Sequence, residues 1–260
     1  MLNDYGFPTP MNYSIVITTF DKRFQQFLVP LIRNIKTDRP RIEIIVTANG
    51  SCNAAFNEEY RQELLKFLTD QSNCFPIVFP TFQSLAKMWN RGILTATHEQ
   101  VLVLNDDLNI PSGIKGGFFD KLEDALVDHR GSFKINGSFS HYVISKQELI
   151  DVGFFDERLL GLGEEDGDFY WRFHERYGKE IPSIELPSID NINSDIADSG
   201  YTKGIRTAAK FNRDFIKQVK YQQVLIGGYR GMFDKRVKKR IEDASQYPYE
   251  HFYRENIHKV

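Results

Sequence analysis

Short apolar runs alternate with amphipathic segments along the first 110 residues. Three runs rich in Val, Ile and Leu are typical of buried strands, at Tyr13–Phe20, Ile42–Ser51 and Gln100–Leu108. A fourth short run, FPIVFP, is framed by prolines. Segments with helical spacing follow the strands, namely FQQFLVPLIRNI, which Pro30 interrupts, EEYRQELLKFLTDQ and SLAKMWNRGILTAT. This alternation of strand and helix predicts an α/β fold with a parallel sheet.

The pattern changes after residue 110. Residues 113–129 read as a loop running into a helix, and residues 132–155 mix strand and helix signals. Residues 203–240 read as basic helices broken at Gly227, Gly228 and Gly231. We predict one domain over residues 1–202, followed by a basic helical C-terminal extension over residues 203–260.

Charge is distributed unevenly, although the net charge of the 260-residue chain is only −2. Residues 1–202 contain 19 Lys and Arg against 29 Asp and Glu, whereas residues 203–240 contain 12 against 2. No apolar run is long enough to span a membrane, and the N-terminus lacks the pattern of a signal peptide. Cys52 and Cys74 have no metal-type spacing, and two thiols fit a reducing compartment. A cytoplasmic location is expected.

Polar residues stand at the ends of the predicted strands, where ligands of parallel sheets bind. Adjacent carboxylates at Asp106 and Asp107 end the strand Gln100–Leu108. Mg²⁺ or Mn²⁺ usually binds through one or two carboxylates together with substrate phosphates. Turn formation is the alternative explanation of the pair. Because the chain has neither GxGxxG nor GxxxxGK[ST], dinucleotide and P-loop sites lose their main support.

A second acidic cluster lies in GLGEEDGDFYW, Gly161–Trp171, which holds four carboxylates within five residues. An acidic turn that begins a helix is the simplest explanation. Catalysis is the other, since crowding of like charges raises a carboxyl pKa toward that of a general base. A helix dipole would oppose this rise, and the sequence leaves the balance open. Asp168 and Arg172 are expected to pair at i and i+4. Five aromatic residues are expected in the core rather than stacked on a sugar, with both roles open for Trp171: Trp89, Tyr142, Phe169, Trp171 and Phe173.

Five segments in order resemble an inverting glycosyltransferase of the GT-A fold, close to family 2. They are SIVITTF, VTANGS, QSLAKMWNRGILTAT, VLVLNDDL and GFFDERLLGLGEEDGDFYWRF. The third matches that family's motif at Asn90, Gly92 and Ile93, and the fourth is similar to its metal-binding D-x-D segment. The last also resembles the GWGGEDDD stretch of β-1,4-galactosyltransferases. The resemblance covers residues 13–178 and implies a mostly parallel central sheet flanked by helices.

The resemblance also implies roles for residues. Residues 13–110 would bind a nucleotide-sugar donor, UDP-linked in our expectation, and residues 111–202 would face a saccharide or lipid-linked acceptor. Asp107 would hold Mn²⁺ or Mg²⁺, and Asp106 would lie beside it, toward the metal or the ribose of the donor. Asp166 would be the catalytic base, and Glu165 would bind a sugar. Further donor contacts are expected at Thr18, Thr19, Phe20, Asn49 and Asn90.

The sequence departs from the family pattern at three places. Asn105 replaces the first acid of many D-x-D motifs, and Ala48 replaces an aspartate that often contacts the nucleobase. The histidine that galactosyltransferases place after their acidic motif has no convincing equivalent, since His174 lies inside the predicted helix and is expected to pack or face solvent. The third metal ligand and the identity of the nucleotide therefore stay open.

Other functions are compatible with parts of the sequence. A non-catalytic carbohydrate- or metal-binding module would use the same clusters. A sugar-phosphate nucleotidyltransferase would need a glycine-rich loop after the first strand, and TTFDKRFQQF contains no glycine. The acidic body argues against nucleic acid as a partner. The basic residues of 235–240 follow Tyr229, Met232 and Phe233, a combination that predicts peripheral docking on an anionic membrane.

Overall fold

A seven-stranded sheet forms the centre of the protein. The computed structural model describes residues 13–50, 57–192 and 201–220. The sheet has the order β3-β2-β1-β4-β7-β6-β8. Its strands are β1 (Tyr13–Phe20), β2 (Ile44–Asn49), β3 (Cys74–Val78), β4 (Gln100–Asn105), β6 (Phe133–Ile135), β7 (Ser138–Ser145) and β8 (Ser183–Ile184). A separate antiparallel pair joins β5 (Leu108–Asn109) to β9 (Asp190–Asn191).

The central sheet is mostly parallel, as predicted. β1 pairs in parallel with both β2 and β4, and β2 pairs in parallel with β3. Within the described sheet the reversed strand is β7, which is antiparallel to β4 and to β6. Because both faces of this sheet are covered by helices, its strands carry continuous apolar runs rather than an alternating pattern.

Seven helices occur in the described residues. They are α1 (Val29–Asp38), α2 (Glu58–Thr69), α3 (Leu85–Thr95), α4 (Phe118–Asp128), α5 (Lys146–Val152), α6 (Glu165–Tyr177) and α7 (Tyr201–Phe215). The predicted interruption by Pro30 is wrong: Pro30 is the second residue of α1, where no intrahelical amide bond is required of it. The irregularity lies before it, in a 3₁₀ turn at Asp21–Arg23 and a π-helical turn at Phe24–Leu28.

Apolar side chains form a core on each face of the sheet. Alternate residues of β1 point to opposite faces, so Ile15 and Ile17 pack against α1, α2 and α4, while Val16 packs against α3, α5 and α6. The five aromatic residues expected in the core are buried, which confirms that prediction: Trp89, Tyr142, Phe169, Trp171 and Phe173.

Helix α3 lies unusually close to the sheet at Gly92. A Cβ atom on Gly92 would lie 2.5 Å from Cγ1 of Val16 and 3.2 Å from Cγ2 of Thr47. Glycine is therefore required by the packing of α3 on β1 and β2, which gives a physical reason for the glycine of the motif around Asn90.

A tight turn places the start of β7 beside the end of β4. Asn136 and Gly137 both have positive φ, 51° and 74°, as a two-residue turn between antiparallel strands requires. In the resulting register His141 lies opposite Leu104. The first residues of β7 consequently reach the edge at which β4 delivers Asp106 and Asp107.

The predicted C-terminal extension begins inside a helix, since α7 starts at Tyr201 and continues into a π-helical turn at Ile216–Lys220. The predicted breaks at Gly227, Gly228 and Gly231, and the basic residues of 235–240, lie outside the described residues, as does Cys52. None of the helices in the described part of the chain has both the length and the apolar character required to cross a bilayer.

Candidate active site

The carboxylates of Asp106 and Asp107 lie at the end of β4, near the middle of the sheet. They are 3% and 8% exposed. Oδ2 of Asp106 accepts a hydrogen bond of 2.7 Å from Oγ1 of Thr19. Burial raises the pKa of Asp106 to about 7, although the charge of Arg23 and the hydroxyl of Thr19 both oppose the rise. The backbone carbonyl of Asp107 accepts a bond of 2.8 Å from the amide of Ile192.

Arg23 contacts both carboxylates from the turn that follows β1. Its Nε lies 2.8 Å from Oδ1 of Asp106, and its Nη2 lies 2.7 Å from Oδ2 of Asp107. The sequence analysis assigned no role to Arg23. A cation three residues beyond a strand that ends at the ligand edge is a usable signal, but the pairing itself follows only from the order of β1 beside β4.

The other predicted donor residues surround this pair. Thr18 and Thr19 are buried at the end of β1, and Phe20 is half-buried beside Arg23, whose Cζ lies 5.4 Å from its ring centroid. Thr19 orients Asp106 through the bond just described. Direct contacts of these three residues with a nucleobase stay predictions.

Asn49 and Asn90 use their amides to shape loops. Asn49 donates to the carbonyl of Gln83 at 2.8 Å and accepts from its amide at 2.9 Å. Asn90 donates to the carbonyl of Phe155 at 2.8 Å and accepts from its amide at 3.1 Å. These bonds fix the segment that enters α3 and the loop that follows α5. Contact of either asparagine with a donor stays a prediction.

The acidic loop has a backbone that ordinary residues rarely adopt. Gly161, Gly163 and Glu164 have positive φ values of 55°, 111° and 79°. Such a conformation is costly for a side chain such as that of Glu164, and strain of this kind concentrates at functional sites. Helix α6 begins at Glu165, so the acidic residues stand at its N-terminus.

The four acids of the loop have different environments. Glu164, Glu165 and Asp168 are buried, whereas Asp166 is partly exposed and accepts a bond of 2.7 Å from the amide of Gly167. Burial, reinforced by the charge of Asp166, raises the pKa of Glu165 to about 8. Burial also raises the pKa of Glu164 to about 7, against the opposing charges of Arg213 and Lys217. For the two glutamates burial and the charge of Asp166 therefore outweigh the contributions that lower the pKa.

Asp168 belongs to a buried ionic network rather than to the exposed loop. Its Oδ2 accepts from Nε of Arg172 at 2.9 Å, which confirms the predicted i,i+4 pair. Nζ of Lys220 donates to the same oxygen at 2.8 Å and to Oδ2 of Asp156 at 2.6 Å. Although burial alone would raise it, the charges of Lys220 and Arg172 hold the pKa of Asp168 below its usual range. Asp168 thus has a structural role.

Helix α7 packs directly on the acidic loop. Oδ1 of Asn212 accepts from the amide of Leu160 at 2.7 Å, and its Nδ2 donates to the carbonyls of Leu160 and Gly163 at 2.9 and 2.7 Å. Cβ atoms added to Gly161 and Gly163 would lie 3.1 Å from the methyl groups of Ala208 and Ala209. Sequence reasoning missed this contact because residues about fifty positions apart leave no periodic signal.

The middle of β7 lies within electrostatic range of both acidic clusters. The carboxylate of Asp107 is close enough to His141 to favour its protonated form, although burial prevails and lowers the pKa of His141. The next residue, Tyr142, lies near Asp166 and Glu165, whose charges add to burial in raising the pKa of its phenol. Each of these two consecutive residues of β7 therefore lies within electrostatic range of one cluster. His141 was not selected from the sequence.

The carboxylate pair fits a divalent metal only in company with other ligands. Among the described residues no three His, Cys, Asp or Glu side chains are grouped in a way that could hold a metal. Asp106 and Asp107 supply hard oxygen ligands, and Mg²⁺ or Mn²⁺ commonly completes its coordination with phosphate and water. The donor set thus suits a metal that arrives with a diphosphate.

Solved structures with a similar fold support the GT-A architecture. S. aureus TarS matches with a TM-score of 0.53 at 13% identity, over 81% of this chain and 46% of that one. GalNAc-T7 with UDP, GalNAc and Mn²⁺ matches with a TM-score of 0.54 at 11% identity, over 70% of this chain and 44% of that one. Glucosyl-3-phosphoglycerate synthase from Mycobacterium tuberculosis, with Mn²⁺, UDP and phosphoglyceric acid, matches with a TM-score of 0.50 at 14% identity, over 76% and 78%. This chain thus spans less than half of the first two proteins.

Family comparisons give the assignment. Curated protein sequences gave no significant match. The profile described as glycosyl transferase family 2 matches residues 14–169, and the profile described as glycosyltransferase like family 2 matches residues 114–260. The similarity of the acidic loop to β-1,4-galactosyltransferases stays a prediction. Each profile covers more than half of the 260 residues, and the chain therefore belongs to glycosyl transferase family 2.

Proposed function

We propose that this protein transfers a sugar from a nucleoside diphosphate donor, a UDP-sugar, to a saccharide or lipid-linked saccharide with inversion at the anomeric carbon. A role in polysaccharide or glycan synthesis follows from that acceptor class. The observation that carries the proposal is the presence of two carboxylate clusters in one fold: the buried pair Asp106 and Asp107 at the end of β4, and the acidic loop with positive φ values at the N-terminus of α6. Glycosyltransfer requires both a site for the diphosphate and a base for the acceptor, and the two clusters supply one each.

The donor would bind at the ends of β1 and β4. Asp107, with Asp106, would hold Mn²⁺ or Mg²⁺, and this metal when bound neutralises charge on the diphosphate leaving group. UDP and Mn²⁺ occur together in the structures of GalNAc-T7 and of glucosyl-3-phosphoglycerate synthase, which supports this choice of ligands. Thr19 would keep Asp106 in place through its hydroxyl.

The acceptor would be activated at the N-terminus of α6. Asp166 is the partly exposed acid of the loop, so its carboxylate is available to take the proton of the acceptor hydroxyl. Glu165, with a pKa of about 8, carries a proton near neutral pH. In that form it adds no charge beside Asp166 and is able to donate a hydrogen bond to a sugar hydroxyl.

The donor site is tested by nucleotide binding. We expect UDP to raise the melting temperature of the protein only when Mn²⁺ or Mg²⁺ is present, because ligand binding to the folded state raises apparent stability. Asp107→Ala should abolish this metal-dependent shift and leave the fold intact by circular dichroism. The wild-type protein should release UDP slowly from UDP-sugars when no acceptor is present. Full activity in excess EDTA would refute the metal requirement, and binding without any release of UDP would favour a non-catalytic sugar-binding module.

The base is tested by Asp166→Asn, which keeps size and polarity but is unable to take the proton. Turnover should fall by at least about 10²-fold, the lower end of general-base contributions. UDP affinity should change little, because the donor site lies at Asp106 and Asp107. Wild-type turnover in this variant would shift the role of base to Glu164 or Glu165.

A further inference from the structure

Arg23 contacts both of the carboxylates that would hold a metal. One guanidinium spans Asp106 and Asp107 at 2.8 and 2.7 Å. The three side chains are only 12%, 4% and 11% exposed. Two adjacent carboxylates at this depth require a cation, since uncompensated buried charge is strongly unfavourable. Arg23 supplies that cation in the structure described here.

The guanidinium is attached in a way that permits exchange. Its Nε and Nη2 make no hydrogen bond with correct geometry to any described residue, so the two contacts are charge contacts. The rings of Phe20 and Phe27 lie 5.4 and 5.3 Å from its Cζ, at cation–π distance. The two rings would keep the arginine at the site even after the carboxylates bind another cation.

We propose that Arg23 is an exchangeable counter-ion of the donor site. It pairs with Asp106 and Asp107 in the metal-free protein, gives way to the divalent metal, and then pairs with the diphosphate that enters with the metal. Arginine suits both partners, because its fork binds carboxylate and phosphate alike. This inference rests on the proposed function, from which it takes the metal and the diphosphate.

The exchange predicts coupling between the two ligands. Metal alone has to displace Arg23 without giving it a new partner, so metal binding without nucleotide is weak. Diphosphate accepts the released guanidinium, so each ligand strengthens the binding of the other, and this coupling is reciprocal. Arg23 thereby disfavours binding of metal without donor.

The test is Mn²⁺ binding, measured by the EPR signal of the free ion, with and without UDP and corrected for Mn²⁺–UDP formed in solution. Arg23→Gln should bind Mn²⁺ alone at least about tenfold more tightly than the wild type, because one positive charge has left the site. Its affinity for UDP in the presence of Mn²⁺ should fall by about tenfold, because the phosphate partner is lost. A purely structural role of Arg23 would weaken both.

Arg39→Gln is a matched control. Arg39 also contacts two carboxylates, Asp120 at 2.7 Å and Glu123 at 2.6 Å, and an aromatic ring, that of Phe119 at 5.6 Å, but it lies away from the site. The Arg39→Gln variant should bind Mn²⁺ as the wild type does. If Arg23→Gln does not fold, Arg23→Lys is the second variant. Lysine keeps the charge but lacks the planar guanidinium that contacts both carboxylates, so this variant should still bind Mn²⁺ alone more tightly than the wild type.

Unchanged or weaker Mn²⁺ binding in the folded Arg23 variant would overturn the proposal, provided that the wild type binds Mn²⁺ with UDP. The wild type is measured first for this reason. A wild type that binds UDP but no Mn²⁺ under either condition would refute the metal part of the proposed function and this inference with it. The two failures are therefore distinguishable.

Discussion

Individual carboxyl groups of the acidic loop differ because their surroundings differ. Glu165 and Asp168 lie three residues apart on α6, yet the pKa of the first is raised to about 8 and that of the second is lowered. Lys220 and Arg172 lie within 2.9 Å of Asp168, whereas Glu165 accepts its bond from the backbone amide of Gly163. Opposite charge in contact thus decides the sign of the shift, since both groups are buried.

Glu165 should lower the stability of the protein at alkaline pH. A carboxyl group whose pKa is raised on folding favours the folded state below the pKa of the unfolded chain, near 4.3, and this advantage is lost as the pH rises through about 8. Between these two pKa values the free energy of unfolding falls by up to about 1.4 kcal/mol per pH unit, and Glu165→Gln should remove this decrease. The free energy of unfolding in urea, measured from pH 5 to 9, should diverge from that of the wild type as the pH rises. Parallel curves would contradict the buried, uncompensated state of Glu165, and the exposed Glu175→Gln is the control.

Single helices and strands carry out distinct tasks around the site. β4 delivers the carboxylate pair, α6 presents the acidic loop at its N-terminus, and α7 holds that loop from outside. A loop with three left-handed residues pairs its own backbone groups poorly. The side chain of Asn212 supplies hydrogen-bond partners to the backbone of Leu160 and Gly163.

Asn212→Ala should loosen the acidic loop while the donor site stays intact. The change leaves buried backbone groups of Leu160 and Gly163 without their partner, at a cost of about 1–3 kcal/mol. We expect lower turnover and a lower melting temperature, with unchanged affinity for UDP. Lys210→Ala is the matched control, because Lys210 lies on the exposed side of the same helix and, within the described part of the chain, pairs with Asp214 at 2.8 Å. Equal turnover of the two variants would show that the bonds of Asn212 are dispensable.

Most helices and strands were predictable, and the side-chain contacts between distant segments were not. The apolar run Tyr13–Phe20 is the whole of β1, because burial on both faces leaves no polar position inside the strand. The predicted strand Ile42–Ser51 is longer than β2, since Ile42 and Glu43 precede the paired region. Both acidic clusters could be identified from the sequence, because each consists of residues that are neighbours along the chain. Pairing of Arg23 with Asp106 and of Lys220 with Asp168 depends on the sheet order and on the packing of α7, which local sequence does not encode.

The whole molecule combines an acidic body with a basic C-terminal segment, and part of that basic charge is used internally. Lys220 is buried between Asp156 and Asp168, and Lys210 pairs with Asp214. The cations from residue 235 to residue 240 lie outside the described residues and remain the predicted membrane-docking group.

Peripheral membrane attachment is the prediction at this scale. Each cation near an anionic surface contributes about 1 kcal/mol, so replacing the five basic residues of 235–240 by glutamine should release the protein from vesicles. Sedimentation with anionic vesicles at low salt should recover the wild type in the pellet, and high salt or neutral vesicles should leave it in the supernatant. Recovery in the supernatant under every condition would rule the attachment out.

Lys220 also affects the order in which the surroundings of the acidic loop are completed during chain synthesis. It leaves the ribosome 52 residues after Asp168, so the nascent chain exposes α6 before the ammonium group that stabilises it has been made. Until then Asp156 pairs with Arg158 and Asp168 with Arg172 without the ammonium group of Lys220, and the acidic loop has no α7 to pack against. Completion of the acidic loop therefore waits for the synthesis of α7, and a nascent chain that stops before residue 208 would contain the sheet without the helix residues that pack on this loop.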